Sequence, residues 1–150
     1  MLNRIKEKCF LSINLIDILM LRKLRITSIL LLIFNSISAL GGGAMLIIDP
    51  SGKLIQLPIH YLDQSPFSDF LIPGIILLTL NGVLSAVIAV AVLKKHRFYP
   101  LLIILQGLVL AIWLSVQIII IRDFYAPMHL TCYLVALGLI VSGALLTRAK

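Results

Sequence analysis

Acidic side chains are the scarcest chemistry in this chain: six aspartates and glutamates stand against thirteen lysines and arginines in 150 residues. None lies in the middle of a long apolar run, so the bundle lacks the intramembrane carboxylate on which proton and ion coupling normally depends. Cysteine is nearly as rare. Cys9 and Cys132 are far apart and in neither a CxxC nor a metal-ligand spacing, which weighs against thiol redox chemistry, because an attacking thiolate needs a resolving partner. Charge of either sign is low, at 13% of residues, while 61% are hydrophobic and the mean hydropathy is +1.12. Too few charges exist to cover a water-soluble core, so the solvent that fits this composition is lipid.

The net charge of +7 raises nucleic acid as a partner, since a basic patch would neutralise phosphates. The charges instead form short clusters at the ends of apolar runs, where membrane proteins carry topology signals. The expected partner is therefore the lipid bilayer, with no nucleic acid.

What the chain has in abundance is long apolar sequence. Four runs, over about 24–48, 70–93, 99–121 and 130–147, are expected to form transmembrane helices; the last is near the lower length limit. The expected fold is an all-α membrane protein: a four-helix transmembrane domain over 24–147, with a structured external loop between helices 1 and 2. A basic segment, 1–23, precedes it and a short tail, 148–150, comes after it. Residues 9–21 are too few to cross a hydrocarbon core of about 30 Å. They read as an interfacial helix, as a signal peptide without a cleavage site, or as an over-extended start upstream of Met20. Lysines and arginines crowd the N-terminal flank, the 94–97 connection and the tail, leaving only Lys53 and Arg122 on the other side. Both termini are thus expected in the cytoplasm and the first loop outside the cytoplasmic membrane.

Each span carries a small or polar stripe at helical spacing. Ser28, Asn35, Ser38 and Gly42 share a side of the first, and Gly41, Gly42, Gly43 and Ala44 make a smooth patch near its outer end. Asn81 and Ser85 lie four apart in the second; Gln106, Trp113 and Gln117 align in the third; Thr131, Gly138 and Ser142 share a side of the fourth. Asn35, Asn81, Gln106, Trp113 and Gln117 are candidates for an intramembrane polar core. They serve either as glue between helices, at about 0.6 kcal/mol per hydrogen bond, or as the lining of a pocket for a small neutral ligand.

The 49–74 stretch, DPSGKLIQLPIHYLDQSPFSDFLIPG, is the one sizeable interruption. Asp49, Pro50 and Gly52 spell a tight turn. Residues 53–57 read as extended or irregular. Pro58 suits the first position of a short helix over 58–63, with Ile59 and Leu62 on the membrane surface and His60 and Asp63 pointing up. Ser65 and Pro66 read as N-cap and first residue of the second span, with Asp69 in its first turn. Pro73, about two turns in, and Gly74 beside it predict a kink. The aromatic turn at 122–127 anchors a helix end, and Lys94, Lys95, His96 and Arg97 can hold their connection at anionic head groups. His60, Asp63, Asp69, Asp123 and His129 supply enough groups for an acid–base or metal site on the loop side. Turns and caps explain the aspartates without one, so no catalytic, metal or cofactor residue is assigned.

The order of DPSG after a glycine-containing span, then LP, then SPF-DF-LIPG resembles a group of small uncharacterised four-helix membrane proteins of bacteria. The resemblance covers about residues 20–150, with Trp113 and Gln117 as weaker support. It implies topology and no chemistry. Three functional readings stand: a non-enzymatic accessory or interaction subunit with a membrane-protein partner or a second copy; a small transporter or permease-like component for a neutral solute; and a membrane enzyme with its site under the loop.

Overall fold

A computed structural model of the chain describes residues 2–63, 65–121 and 126–149, with side chains described for 17–63, 65–120 and 126–149. The described residues are all helix and turn, without strand. Four helical stretches are long and apolar enough to cross a membrane: Asp17–Ile48, Leu71–Leu93, Tyr99–Ile120 and Ala126–Arg148. They fit a multi-pass membrane protein.

Helix α1 runs without interruption over Leu2–Ile48. Neither proline nor glycine occurs between residues 2 and 40, so nothing ends the helix at the expected boundary after residue 23. Its 47 residues extend about 70 Å at 1.5 Å per residue, roughly twice a hydrocarbon core. The second span is α2 (Leu71–Ile76), a π-helical segment (Leu77–Val83) and α3 (Leu84–Leu93). Helix α4 covers Tyr99–Ile121 and α5 covers Ala126–Arg148.

The spans form a ring in chain order. Helix α1 packs on the second span and on α5, and α4 packs on α5 and, through the π segment and α3, on the second span. The core between them is aliphatic, with Leu32, Ile88, Ile103 and Leu139 almost fully buried. The outer surface is also aliphatic: Leu30, Ile37, Val87, Ile112, Ile119 and Leu134 are among many large apolar side chains left exposed. Lipid, unlike water, makes no demand that these be hidden.

Helix α1 turns one stripe inward: Ser28, Leu32, Asn35, Ser36, Ala39, Gly43 and Leu46. Ser38, expected in that stripe, is exposed, and Ser36 is buried instead. On α5 Ser142 is buried and accepts a 2.9 Å hydrogen bond from Ser28, whereas Thr131 is exposed and donates back to Pro127 O at 2.7 Å.

Three expectations for the entry into the second span are corrected. The helix starts at Leu71 rather than Pro66. A helix from Pro66 would need Phe70 N–H to reach Pro66 O, but that donor is committed to Pro50 O at 2.9 Å. Asp69 consequently lies before the helix, its carboxylate accepting Leu71 N–H at 3.0 Å. Pro73 is the third helical residue, where an N–H has no intrahelical acceptor, so it costs no ladder bond and makes no kink. The first ladder bond comes just after it, from Gly74 N to Phe70 O at 2.9 Å. Gly74 serves packing: a Cβ there would sit 2.8 Å from Leu46 Cβ on α1.

The irregularity falls later, in the π segment, where Leu84 N–H reaches back five residues to Thr79 O. Thr79 Oγ1 donates to Ile75 O at 2.7 Å, and such back-bonding perturbs the regular ladder. The widened turn presents three successive carbonyls sideways, and neighbouring helices occupy all three. Leu80 O accepts from Gln106 Nε2 at 3.2 Å, Asn81 O from Asn35 Nδ2 at 3.2 Å, and Gly82 O from Ser36 Oγ at 2.9 Å.

Candidate functional site

Of the five expected polar-core residues, three meet at the π segment. Asn35, Asn81 and Gln106 are buried. Asn35 Nδ2 donates to Ser85 Oγ at 2.8 Å in addition to Asn81 O. Gln106 Nε2 lies 3.4 Å from Asn81 Oδ1. These bonds tie α1 and α4 to the second span, as interhelical amides do in lipid. Asn81 Nδ2 and Gln106 Oε1 have no partner among the described residues. Replacing Asn35 with alanine removes two bonds across the α1 interface and is expected to cost about 1 kcal/mol at the average worth of such bonds in membranes. Reversible unfolding in detergent micelles, with Ser38→Ala as the exposed control, measures it.

Trp113 and Gln117 stand apart from this cluster, about two and three turns nearer the loop on α4 than Gln106, and only half-buried. They line a different feature. At the loop end α2 leans on α1, while α4 meets the second span only further down. The wedge between them is a pocket of about 110 Å³, roofed by Leu57, Leu62, Phe67 and Phe70 of the loop, with Trp113 and Gln117 on its wall.

The loop that roofs it is folded on itself. Gly52 N–H donates to Asp49 O at 3.1 Å, closing the turn that Asp49, Pro50 and Gly52 predict, and Gly52 has φ +78°. The Asp49 side chain organises the backbone from Ser51 to Leu54. Its Oδ1 accepts from Ser51 Oγ at 2.6 Å and from Ser51 N–H at 3.2 Å, and its Oδ2 from Leu54 N–H at 2.9 Å. Residues 53–55 form a 3₁₀ turn where 53–57 reads as extended or irregular. Leu57 N–H then returns to Gly52 O at 2.9 Å. A second 3₁₀ turn, Ile59–Leu62, comes after Pro58, which precedes it in extended conformation rather than occupying its first position. Leu62 does not lie on a surface; it is buried with Phe70 and Leu46, and Ile59 is exposed. Ser65 Oγ accepts Phe67 N–H at 3.1 Å, so Ser65 caps a turn, and Pro66 is exposed within it. Phe70 N–H to Pro50 O closes the loop's end onto its beginning.

The hydroxyl of Ser51, then the Leu54 amide, hold the Asp49 carboxyl below its ordinary pKa. A carboxyl whose folded pKa is depressed contributes order that is complete above the unfolded pKa and is lost as pH falls through the folded value. The protection of the Leu54 amide, corrected for the intrinsic slowing of exchange in acid, is therefore expected to fall as pH is lowered from 6 to below the usual carboxylate range. Asp49→Asn is expected to remove that step, and a step that persists in the variant would assign it elsewhere.

Of the five groups considered for catalysis, four are described. His60 and Asp63 are exposed, Asp69 is engaged by Leu71 N–H, and His129 is buried in the first turn of α5. Asp123, with residues 122–125 of the expected aromatic turn, lies outside the described residues, and the turn's last two residues, Ala126 and Pro127, open α5. Among the described residues no group of three or more His, Cys, Asp or Glu side chains is placed to hold a metal ion. On the opposite end, α3 finishes with Lys95 in the left-handed region (φ 53°) and His96 N–H bonded to Ala91 O at 3.0 Å. That closure, with Arg97 4.5 Å over the Phe98 ring, accounts for the 94–98 connection.

Missing from the expected set are Ser36, which holds the π segment, and Ser115, whose hydroxyl lies 3.0 Å from Tyr133 Oη between α4 and α5. Ser36 is next to Asn35, and that adjacency is its only sequence signal. Comparison with protein-family models, curated proteins and solved structures finds no match for this chain.

Proposed function

We propose that this chain is a non-enzymatic accessory or interaction subunit of the cytoplasmic membrane, with both termini inside and the 49–70 loop acting as its external recognition surface. The observation that carries the reading is the loop's own construction. Asp49, Gly52 and the Phe70 to Pro50 closure fix its backbone, while Lys53, Leu54, Ile59, His60 and Asp63 remain exposed upon it. A pre-shaped surface lowers the ordering cost of association. The basic clusters at the opposite end support the orientation.

A photo-crosslinking residue at Leu54 or Ile59, activated in native membranes, tests this. The expected product is one stoichiometric adduct with a membrane protein or a second copy, lost when Gly52→Ala unfolds the loop. Adducts that are equally abundant from the exposed, bundle-side Ile112 would contradict it. A transporter of a neutral solute is the second reading. It draws on the buried Asn81 Nδ2 and Gln106 Oε1, which have no partner among the described residues and are complementary to an amide or hydroxyl.

A further inference from the structure

We infer that the wedge under the loop is a lipid-binding site, taking the upper part of one acyl chain of a loop-side bilayer lipid, with the Gln117 amide donating to that lipid's ester carbonyl. This site is independent of any protein partner of the loop.

Four observations carry it. First, the pocket is about 110 Å³, somewhat below the roughly 150 Å³ of an apolar cavity that takes up benzene. It admits a few methylenes or a ring, and no head group. Second, no charged side chain lines it, and its walls are aliphatic and aromatic apart from Gln117 and the Trp113 indole. A neutral occupant is required, because an ion would be desolvated without compensation.

Third, the Gln117 side-chain amide forms no hydrogen bond among the described residues. Beside it the Trp113 Nε1 is buried with no partner among the described residues, at a cost on the order of 1–3 kcal/mol, and water there would find few of the two to four polar partners it needs. A carbonyl oxygen attached to an apolar chain satisfies the amide N–H and the pocket together. Fourth, the depth fits. Gln117 is four residues from the end of α4 at Ile121, hence about 6 Å inside it, near the edge of the hydrocarbon core where glycerol esters lie. The pocket also reaches the lateral surface of the bundle, since Val116, on its lining, is 39% exposed.

The chain carries a built-in reporter, because Trp113 is its one tryptophan and lines the pocket. Purified full-length protein is placed in nanodiscs of non-brominated phosphatidylcholine doped with phosphatidylcholine brominated high on the acyl chain, in ester-linked and ether-linked forms. The expected result is quenching of Trp113 at a several-fold lower mole fraction of the ester-linked probe. Gln117→Leu is expected to erase that preference while Trp113 remains quenched at the bulk-lipid fraction. Superimposable ester and ether curves in the unmodified protein would overturn the assignment, whatever the variant does. Restoration of emission by a free apolar ketone, 2-heptanone, at concentrations far below the lipid would also overturn it, showing that the carbonyl site prefers a free molecule over the bilayer.

Discussion

Gly143→Ala is expected to destabilise the bundle by about 2 kcal/mol, while Gly41→Ala leaves it unchanged or slightly more stable. Both replacements put alanine into a helix, which by propensity alone gains up to about 1 kcal/mol. Packing decides the sign. A Cβ on Gly143 would lie 2.7 Å from Ile104 Cγ1, 2.8 Å from Pro100 O and 3.1 Å from Ile104 N, whereas one on Gly41 meets nothing within 4 Å. Two of the three obstacles at Gly143 are backbone atoms, so no rotamer change relieves them and α4 and α5 must part, an overpacking cost of about 1–3 kcal/mol. Gly107 faces the same crossing from the other helix, where its Cβ would meet Ala136 O at 2.8 Å. Small residues that let backbones approach are the main source of helix association in lipid. Steric-trapping or denaturant titration in bicelles reads both variants. Equal stability of the two would mean that the close α4–α5 crossing does not exist.

Gly52→Ala carries the second large effect, and it is local. Gly52 holds φ +78°, a region that costs a residue with Cβ about 1–2 kcal/mol. Its Cβ would also stand 2.5 Å from Leu57 O and 2.9 Å from the Phe70 ring. Leu57 returns its own N–H to Gly52 O, and Phe70 anchors the loop to Pro50, so the strain falls on the two contacts that close the fold. The expected cost is about 3 kcal/mol of loop order, with the helical bundle intact. Because the loop roofs the pocket beside Trp113, the tryptophan emission is expected to move to longer wavelength as water enters, with unchanged far-ultraviolet dichroism. A variant with native emission would show that the roof does not depend on this turn.

The spans are legible in the sequence because apolar length is a property of contiguous residues, and the 49–52 turn is legible because Asp49, Pro50 and Gly52 each act within a few residues. The features that escape depend on partners far along the chain. The helix starts at Leu71 rather than Pro66 because Phe70 N–H goes to Pro50 O, a bond that no local signal announces. Pro73 reads as a kink only when the start is placed too early. The π segment is held by Asn35 and Ser36, each 46 residues away, and by Gln106, 26 residues away. Of the candidate site, the aligned Trp113 and Gln117 are visible on a helical wheel, but the pocket they line arises from the divergence of α2 from α4, and spacing says nothing about that. Leu62 reads as a surface residue because a short amphipathic turn looks the same whether it rests on lipid or on Phe70.

The 49–70 loop as a fixed roof, rather than an open connection, is the claim on which the pocket, the proposed recognition surface and the Trp113 reporter all depend. Amide hydrogen exchange of the unmodified protein in nanodiscs, resolved at Leu57 and Phe70, tests it most directly. Both donors are bonded within the loop, to Gly52 O and Pro50 O at 2.9 Å, so protection well above the open-chain rate is predicted at each, on the order of a hundredfold or more for bonded amides that open only with the local fold. Exchange of both at the open-chain rate would contradict the account.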